Sequence, residues 1–184
     1  MTTTNTTRIV TGEVRLSCAH VWEPNPIQGG KPKNSVSLII PKSDTATITA
    51  IEKAVDAAIE QGIGKFGGKR RNKAALKLPL CDGDIERDDE AYANAYFLNA
   101  NYLTAPQIVD MNLASILDRA EVYSGCYARV SLSFYAFNTN GNRGIACGLS
   151  NIQKTRDGES LGGGRVSAET DFGAFIPADD DFLD

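Results

Sequence analysis

Aromatic and cationic side chains alternate along one extended stretch of the sequence, residues 122–137. Successive side chains of a strand point to opposite faces. One face would carry Tyr127, Arg129, Ser131, Ser133, Tyr135 and Phe137. Aromatic rings stack on unpaired bases and guanidinium groups pair with phosphates, so this face predicts binding of single-stranded nucleic acid through Tyr127, Arg129 and Tyr135. The alternative is that protein covers both faces and the rings belong to the core.

A second group of candidates lies in a glycine-rich basic segment, residues 62–77, which has six cations and no acid. The cations are Lys65, Lys69, Arg70, Arg71, Lys73 and Lys77. A flexible basic loop can follow a phosphate backbone without reading base sequence. We therefore expect phosphate contacts here and at Lys31 and Lys33, with a purely solvated loop as the alternative. A nucleotide-binding P-loop is excluded, because Arg70 stands where that motif requires Ser or Thr.

An acidic cluster, residues 82–90, is the candidate for metal chemistry. Asp82, Asp84, Glu86 and Asp88 would be the ligands of a metal-dependent nuclease or junction resolvase. A two-metal site needs carboxylates held together by rigid elements, whereas these crowd one turn. We expect a solvated turn, no catalytic residue, no metal ligand and no cofactor. The nuclease remains the alternative function.

The single histidine and the four cysteines are predicted to be structural. His20 falls on the same strand face as Leu16 and Cys18, and no second histidine exists for a histidine-based metal cluster. The cysteines are widely spaced and contain no Cys-x-x-Cys pair. Buried free thiols in a reducing cytoplasm are therefore expected, not a disulfide framework or a zinc site.

The elements that position these residues are short strands and one inserted helix. Strands are expected at residues 8–22, 34–40, 95–103, 106–110, 122–137 and 144–152, with a turn at 138–142. The helix begins at Ser43 or Asp44 and ends at Gly62. Without βαβ alternation this order predicts a mainly β (α+β) fold, an antiparallel barrel with a packed helix. The OB-fold, a five-stranded Greek-key barrel, is the smallest architecture that fits.

The charge distribution divides the chain into a body and a tail. From Val166 onward there are six acids and no Lys or Arg, so the rest has 19 basic and 17 acidic groups within a net charge of −4. We predict a disordered N-terminus (1–7), one binding domain (8–156), and a flexible linker with an acidic tail (157–184). No signal peptide and no apolar run of ~20 residues is present, so we expect a cytoplasmic protein.

Several segments resemble a family of phage proteins formerly catalogued as a domain of unknown function. They are residues 19–24, 35–42, 79–84, 123–127, 144–154 and 157–159. The resemblance extends in order over residues ~9–176 and implies a phage single-stranded-DNA-binding protein with an OB-fold core. The ending, residues 179–184, is similar to the acidic, aromatic-tipped tails of replication single-strand binders, although Leu183 and Asp184 follow the aromatic residue here.

These observations predict a non-enzymatic protein that coats single-stranded DNA during phage replication or recombination in the host cytoplasm. The tail residues that would compete with DNA and recruit replication or recombination proteins are Asp179, Asp180, Asp181, Phe182 and Asp184. As a flexible chain from Asp157 the tail would reach roughly 30 Å. A homodimer through sheet-edge pairing is a further expectation. A virion or assembly protein, with rings that bind protein, is a third possibility.

Overall fold

The computed structural model describes residues 6–25, 31–68, 72–139 and 141–161. Within them the chain forms eight strands and two α-helices, joined by turns and short 3-10 helices. The strands are β1 (Arg8–Val10), β2 (Val14–Asn25), β3 (Lys33–Pro41), β4 (Cys81–Asp82), β5 (Ala95–Tyr102), β6 (Gln107–Val109), β7 (Tyr127–Thr139) and β8 (Asn142–Arg156). The helices are α1 (Thr45–Gln61) and α2 (Gly83–Glu86).

Five strands close into a barrel in the order β7, β2, β3, β5 and β8, with β8 returning to β7. Neighbouring strands are antiparallel except β5 and β8, which run parallel where Asn101 pairs with Gly148. The predicted OB-fold-like barrel is thereby confirmed. Strand β1 continues along β7 beyond β2, β6 lies along β8, and β4 pairs with β5.

The alternation predicted for β7 decides which side chains fill the barrel. Its inward residues are all buried: Ala128, Val130, Leu132, Phe134 and Ala136. Between them Arg129 and Tyr135 are exposed on the outside. The hairpin begins later than predicted, at Tyr127 and not at residue 122, but β7 continues to Thr139 and β8 runs from Asn142 to Arg156.

Helix α1 packs against β1, β7 and β8. Asp44 caps it as predicted, and its carboxylate accepts a hydrogen bond from the N–H of Thr47 at 3.2 Å. The apolar side chains at helical spacing are buried in the core, namely Ile51, Ala54, Val55, Ala58 and Ile59. Apolar packing of α1 therefore holds β7 in place.

Gly62 ends α1, but not as the left-handed cap that glycine usually provides. Its φ is −91°, and its N–H donates to the carbonyls of Ala58 and Ile59. A Cβ at this position would lie 2.2 Å from the Cβ of Ala136 on β7. Glycine is required here because the helix end approaches the barrel wall so closely.

The predicted first strand, residues 8–22, is wrong in two respects. It is two strands, β1 and β2, which pair with successive parts of β7. Cys18 also adopts a left-handed φ of 47°, where the pairing of β2 with β3 shifts between Ser17 and His20. Such a bulge moves the following side chains to the other face. His20 and Cys18 are therefore exposed, and their predicted burial is corrected.

The other three thiols follow the prediction more closely. All four cysteines are free, Cys126 and Cys147 are buried, and Cys81 is half-buried. Burial raises the pKa of the Cys126 and Cys147 thiols, which keeps them protonated and unreactive.

Residues 157–161, which we call the strap, run along the barrel and not away from it. The hydroxyl of Tyr123 donates to the carbonyl of Gly158 at 2.8 Å, and the guanidinium of Arg15 donates to the carbonyl of Glu159 at 2.7 Å. The side chain of Leu161 packs on a small apolar cluster outside the barrel. The linker predicted to begin at Asp157 thus starts with five docked residues.

The rest of that linker and the acidic tail, residues 162–184, lie outside the described residues, as do residues 1–5. Among the described helices none has the length and apolar character needed to cross a membrane.

Candidate nucleic-acid interface

Four strands lie side by side in the order β1, β7, β8 and β6, and their outward side chains form one surface, here called the outer face. Backbone pairing aligns four residues in one row across it: Val10, Ser131, Asn151 and Gln107. A neighbouring row pairs Arg129 with Gln153, and the next pairs Ser133 with both Arg8 and Gly148. The outer face is therefore mostly small and polar, with larger side chains at its ends.

One end of the outer face is a groove of about 440 Å³ that we call the tyrosine groove. Its lining includes Tyr135 on β7, which is 41% exposed, and Tyr102 at the end of β5, which is 52% exposed. Gly148 forms part of the floor, and a Cβ added there would lie 3.6 Å from the ring of Tyr135. The groove thus offers two aromatic rings beside a floor without a side chain, an arrangement suited to flat ligands.

The hydroxyl of Tyr135 stays neutral at physiological pH. Partial burial raises its pKa, and the neighbouring Cys147 and Tyr102 raise it further. The tyrosine groove therefore brings no negative charge of its own toward an anionic ligand.

A second groove of about 400 Å³ adjoins the first, and we call it the arginine groove. Arg8 and Arg129 line it together with Val10 and Leu113. Arg129 is oriented by a hydrogen bond from its Nε to the carbonyl of Thr11 at 3.2 Å. Two further residues, Gln107 and Asn151, line both grooves, which makes the two grooves continuous.

Among the described residues no acidic side chain lines either groove, although the chain has 23 acids and 19 basic residues. Neither Arg8 nor Arg129 forms an ion pair with a carboxylate among the described residues. By contrast, a neighbouring pocket is lined by four acids: Asp110, Asp118, Glu121 and Asp157. The outer face therefore combines aromatic rings with positive charge that no described carboxylate pairs, and such a surface attracts a polyanion.

Several predicted phosphate contacts lie close to the tyrosine groove. Lys65 lines a pocket with Tyr135, and its ammonium donates to the carbonyl of Ala136 at 3.0 Å. Lys33 immediately precedes Asn34, whose partner on β5 is Tyr102. The exposed Lys31 lies two residues before Lys33 in the chain. Cations thus stand near both tyrosines.

The rest of the basic segment is only partly described. Lys73 forms an ion pair with Asp56 on α1 at 2.5 Å, so its charge is locally compensated. The exposed Lys77 is held beside β8, because the N–H of Ile145 donates to its carbonyl at 2.9 Å. The remaining predicted contacts, Lys69, Arg70 and Arg71, fall outside the described residues.

Tyr127 does not lie with Tyr135, contrary to the alternation read from the sequence. Tyr127 lines a separate pocket with Arg15 and Arg156, and a Cβ added at Gly158 of the strap would lie 2.8 Å from its ring. The guanidinium groups of Arg156 and Arg15 lie 3.6 and 5.7 Å from the centroid of its ring. Its stacking on a base stays a prediction, for which this geometry gives no support.

A family described as Enterobacter phage Enc34 ssDNA-binding protein matches residues 7–183 of the chain. The chain belongs to this family. The resemblance to phage single-stranded-DNA-binding proteins noted from sequence is thereby confirmed.

Three relatives illustrate this Enc34-type family and its fold. Protein p50 of Acyrthosiphon pisum secondary endosymbiont phage 1 is 29% identical over 182 residues, 96% of this chain and 98% of that protein. The single-stranded DNA-binding protein from bacteriophage Enc34, solved in complex with ssDNA, has a TM-score of 0.75 at 23% identity, covering 85% of this chain and 90% of that one. The single-stranded DNA binding protein gp2.5 of bacteriophage T7 has a TM-score of 0.60 at 13% identity, covering 94% and 96%. At these identities the two solved structures show a shared fold.

The acidic cluster of this Enc34-type chain is used for local structure. The ammonium of Lys42 lies 3.0 Å from the carboxylate of Asp82 and 2.8 Å from that of Asp84. Asp82 also caps α2, and Asp84 accepts the N–H of Asn94 at 3.0 Å. Within the described ranges no group of three or more His, Cys, Asp or Glu side chains is placed to hold a metal ion. Nothing in this geometry favours the nuclease alternative.

Proposed function

We propose that the chain is a non-enzymatic, sequence-independent single-stranded-DNA-binding protein that protects and organises single strands during phage DNA replication and recombination. The observation that carries this proposal is the pair of adjoining grooves that no described acid lines, where Tyr102 and Tyr135 stand beside Arg8 and Arg129. Membership of the Enc34-type family supports it, since that family is described by ssDNA binding.

In the proposed complex the DNA strand follows the outer face along β7 and β8. Bases stack on Tyr135 and Tyr102, because every base offers a ring face, and stacking therefore tolerates any sequence. Arg8, Arg129 and Lys65 contact phosphates, which carry no sequence information. From Tyr135 to Arg129 the path covers six residues of strand, or ~20 Å.

The proposal is tested by titrating fluorescent oligo-dT with the full chain and examining the DNA afterwards. We expect saturable binding to a strand longer than about 16 nucleotides, the upper site size of one OB-fold. After incubation with Mg²⁺ or Mn²⁺ the oligonucleotide should remain intact. Cleavage would favour the metal-dependent nuclease. Absence of binding would favour a virion or assembly protein that uses the exposed rings to contact protein.

The acidic tail is proposed to compete with DNA for the same cations and, when displaced, to recruit replication or recombination proteins. Because the strap is docked as far as Leu161, the reach proposed for the tail is counted not from Asp157 but from Leu161. The predicted flexible reach from there to Asp179 shortens to roughly 23 Å. That reach still corresponds to about seven residues of strand.

Deleting residues 178–184 should therefore tighten binding of oligo-dT, most clearly at low salt, where the competing charges are least screened. A variant with Asp179, Asp180 and Asp181 changed to asparagine keeps the length of the tail and should show the same gain. Fluorescence titrations of the three proteins at two salt concentrations measure this. Equal affinities for all three would remove the competition and leave only the proposed recruitment of partners.

A homodimer through sheet edges also remains a proposal. Strand β1 is three residues long and pairs along one edge with β7. Its short length limits how much backbone pairing a second copy can gain there.

A further inference from the structure

Leu113 combines a strained backbone with an exposed side chain. Its φ is 65°, in the left-handed region, and its side chain is 73% exposed. A bulky residue in this region costs about 1–3 kcal/mol, whereas glycine adopts it readily. The leucine at position 113 therefore destabilises the folded chain, and burial of its side chain offsets little of this loss.

The loop that carries Leu113 is firmly held. The carboxylate of Asp110 accepts hydrogen bonds from the N–H groups of Asn112 at 2.8 Å and Ala114 at 3.0 Å. The N–H of Leu113 donates to the carbonyl of Asp110 at 3.1 Å. Just beyond, Val109 and Ser115 form an isolated β-bridge. These bonds fix the direction in which Leu113 points.

Leu113 forms one wall of the arginine groove. It follows β6, at one edge of the outer face, while Val10 on β1 stands at the opposite edge and is 55% exposed. Four adjacent strands place these edges about 14 Å apart. Ser131 and Asn151 lie in the row between them. The groove thus has apolar walls, a polar floor and two guanidinium groups.

We propose that the arginine groove is a second nucleotide subsite, in which a base packs on Leu113 while Arg8 and Arg129 hold the adjoining phosphates. The inference rests on the proposed binding of single-stranded DNA and places a further nucleotide of the same strand. Apolar side chains support unstacked bases, and guanidinium groups pair with phosphates. Continuity with the tyrosine groove through Gln107 and Asn151, together with the absence of acids in either lining, favours DNA over a protein segment as the occupant.

The substitution Leu113→Gly distinguishes a role in DNA binding from a role in folding, because thermal stability and DNA affinity should change in opposite directions. Glycine relieves the left-handed strain, so thermal stability should stay equal or rise. Affinity for oligo-dT should fall about fivefold, the lower end of the loss when one base loses its support. Leu117→Gly is the matched control: it is the same substitution in the same loop, but Leu117 lines neither groove. Its affinity should equal that of the wild type.

Thermal denaturation and fluorescence titration of the wild type, Leu113→Gly, Leu117→Gly and Tyr135→Ala decide the question. A wild type that fails to bind oligo-dT refutes the proposed function itself. If the wild type binds and Tyr135→Ala weakens binding while Leu113→Gly does not, the second subsite is refuted and the tyrosine groove stands. A loss of stability in Leu113→Gly with unchanged affinity also overturns the proposal, since the leucine would then serve the fold.

Discussion

Replacing both Tyr102 and Tyr135 with alanine is expected to weaken oligo-dT binding between about 30-fold and 10⁴-fold, because each base that loses its ring costs about 1–3 kcal/mol. Both side chains are largely outside the core, so the variant should fold normally. Each single substitution should lose part of the affinity, and coupling between the two is expected because they line one groove. Fluorescence anisotropy titrations at one fixed salt concentration measure the effect.

Phenylalanine at both positions is the first control, because it keeps the rings and removes only the hydroxyls. Its affinity should remain close to that of the wild type. Tyr127→Ala is the second control. Removing this ring takes away the neighbour of Arg15 and Arg156, so thermal stability should fall while DNA affinity changes little. A larger affinity loss at Tyr127 than in the double variant would move the binding surface to that side of the barrel.

The contrast between Tyr135 and Tyr127 shows how far period-two alternation can be trusted. From Ala128 to Ala136 the inward residues of β7 are buried as predicted, although the register with β8 shifts between Ser131 and Leu132. Tyr127 does not join Tyr135 because it lines another pocket with Arg15 and Arg156, beside Gly158 of the strap. Such contacts come from distant segments, and a single strand's sequence contains no signal for them. The wrong phase at Cys18 and His20 has a similar cause, since the register shift there depends on the partner strand β3.

Sequence reasoning missed Tyr102 and Arg8 because long-range strand pairing brings them to the site, with Arg8 placed by the pairing of β1 with β7. The sequence groups Tyr102 with Leu98 and Ala100, which are core residues on the same strand. Its place beside Tyr135 depends on the parallel contact between β5 and β8, whose paired residues, Asn101 and Gly148, are far apart in the chain. Contacts of this kind follow from topology and not from local pattern.

Local sequence signals are more reliable where a side chain hydrogen-bonds to the backbone of residues a few positions away. Of the two predicted caps, Ser43 and Asp44, it is Asp44 that caps α1, because its carboxylate accepts a hydrogen bond from an N–H of the first turn. Asp110 holds its loop by the same chemistry. The left-handed backbone of Leu113 could not be predicted in this way. An aspartate at the start of a turn does not specify which later residue adopts the left-handed conformation.

Affinity for oligo-dT should also fall steeply with salt. Arg8 and Arg129 line the arginine groove, and four further predicted phosphate contacts also form no ion pair with a described carboxylate: Lys31, Lys33, Lys65 and Lys77. If each neutralises one phosphate, log K should fall with log salt at a slope near ~4. Between 50 and 200 mM salt this is a loss of roughly 250-fold.

Changing Arg8 and Arg129 together to glutamine should lower that slope from about 4 to about 3. Each phosphate contact on a single strand contributes about 0.7 to the slope, and the variant loses two such contacts. Lys53→Gln is the matched control, since Lys53 is an exposed cation on α1 without an ion pair among the described residues and lines neither groove. Its slope should equal that of the wild type. A flat salt response would remove the electrostatic part of the proposal. An equal decrease for Lys53→Gln and the double arginine variant would show that net charge, and not the arginine groove, attracts the phosphates.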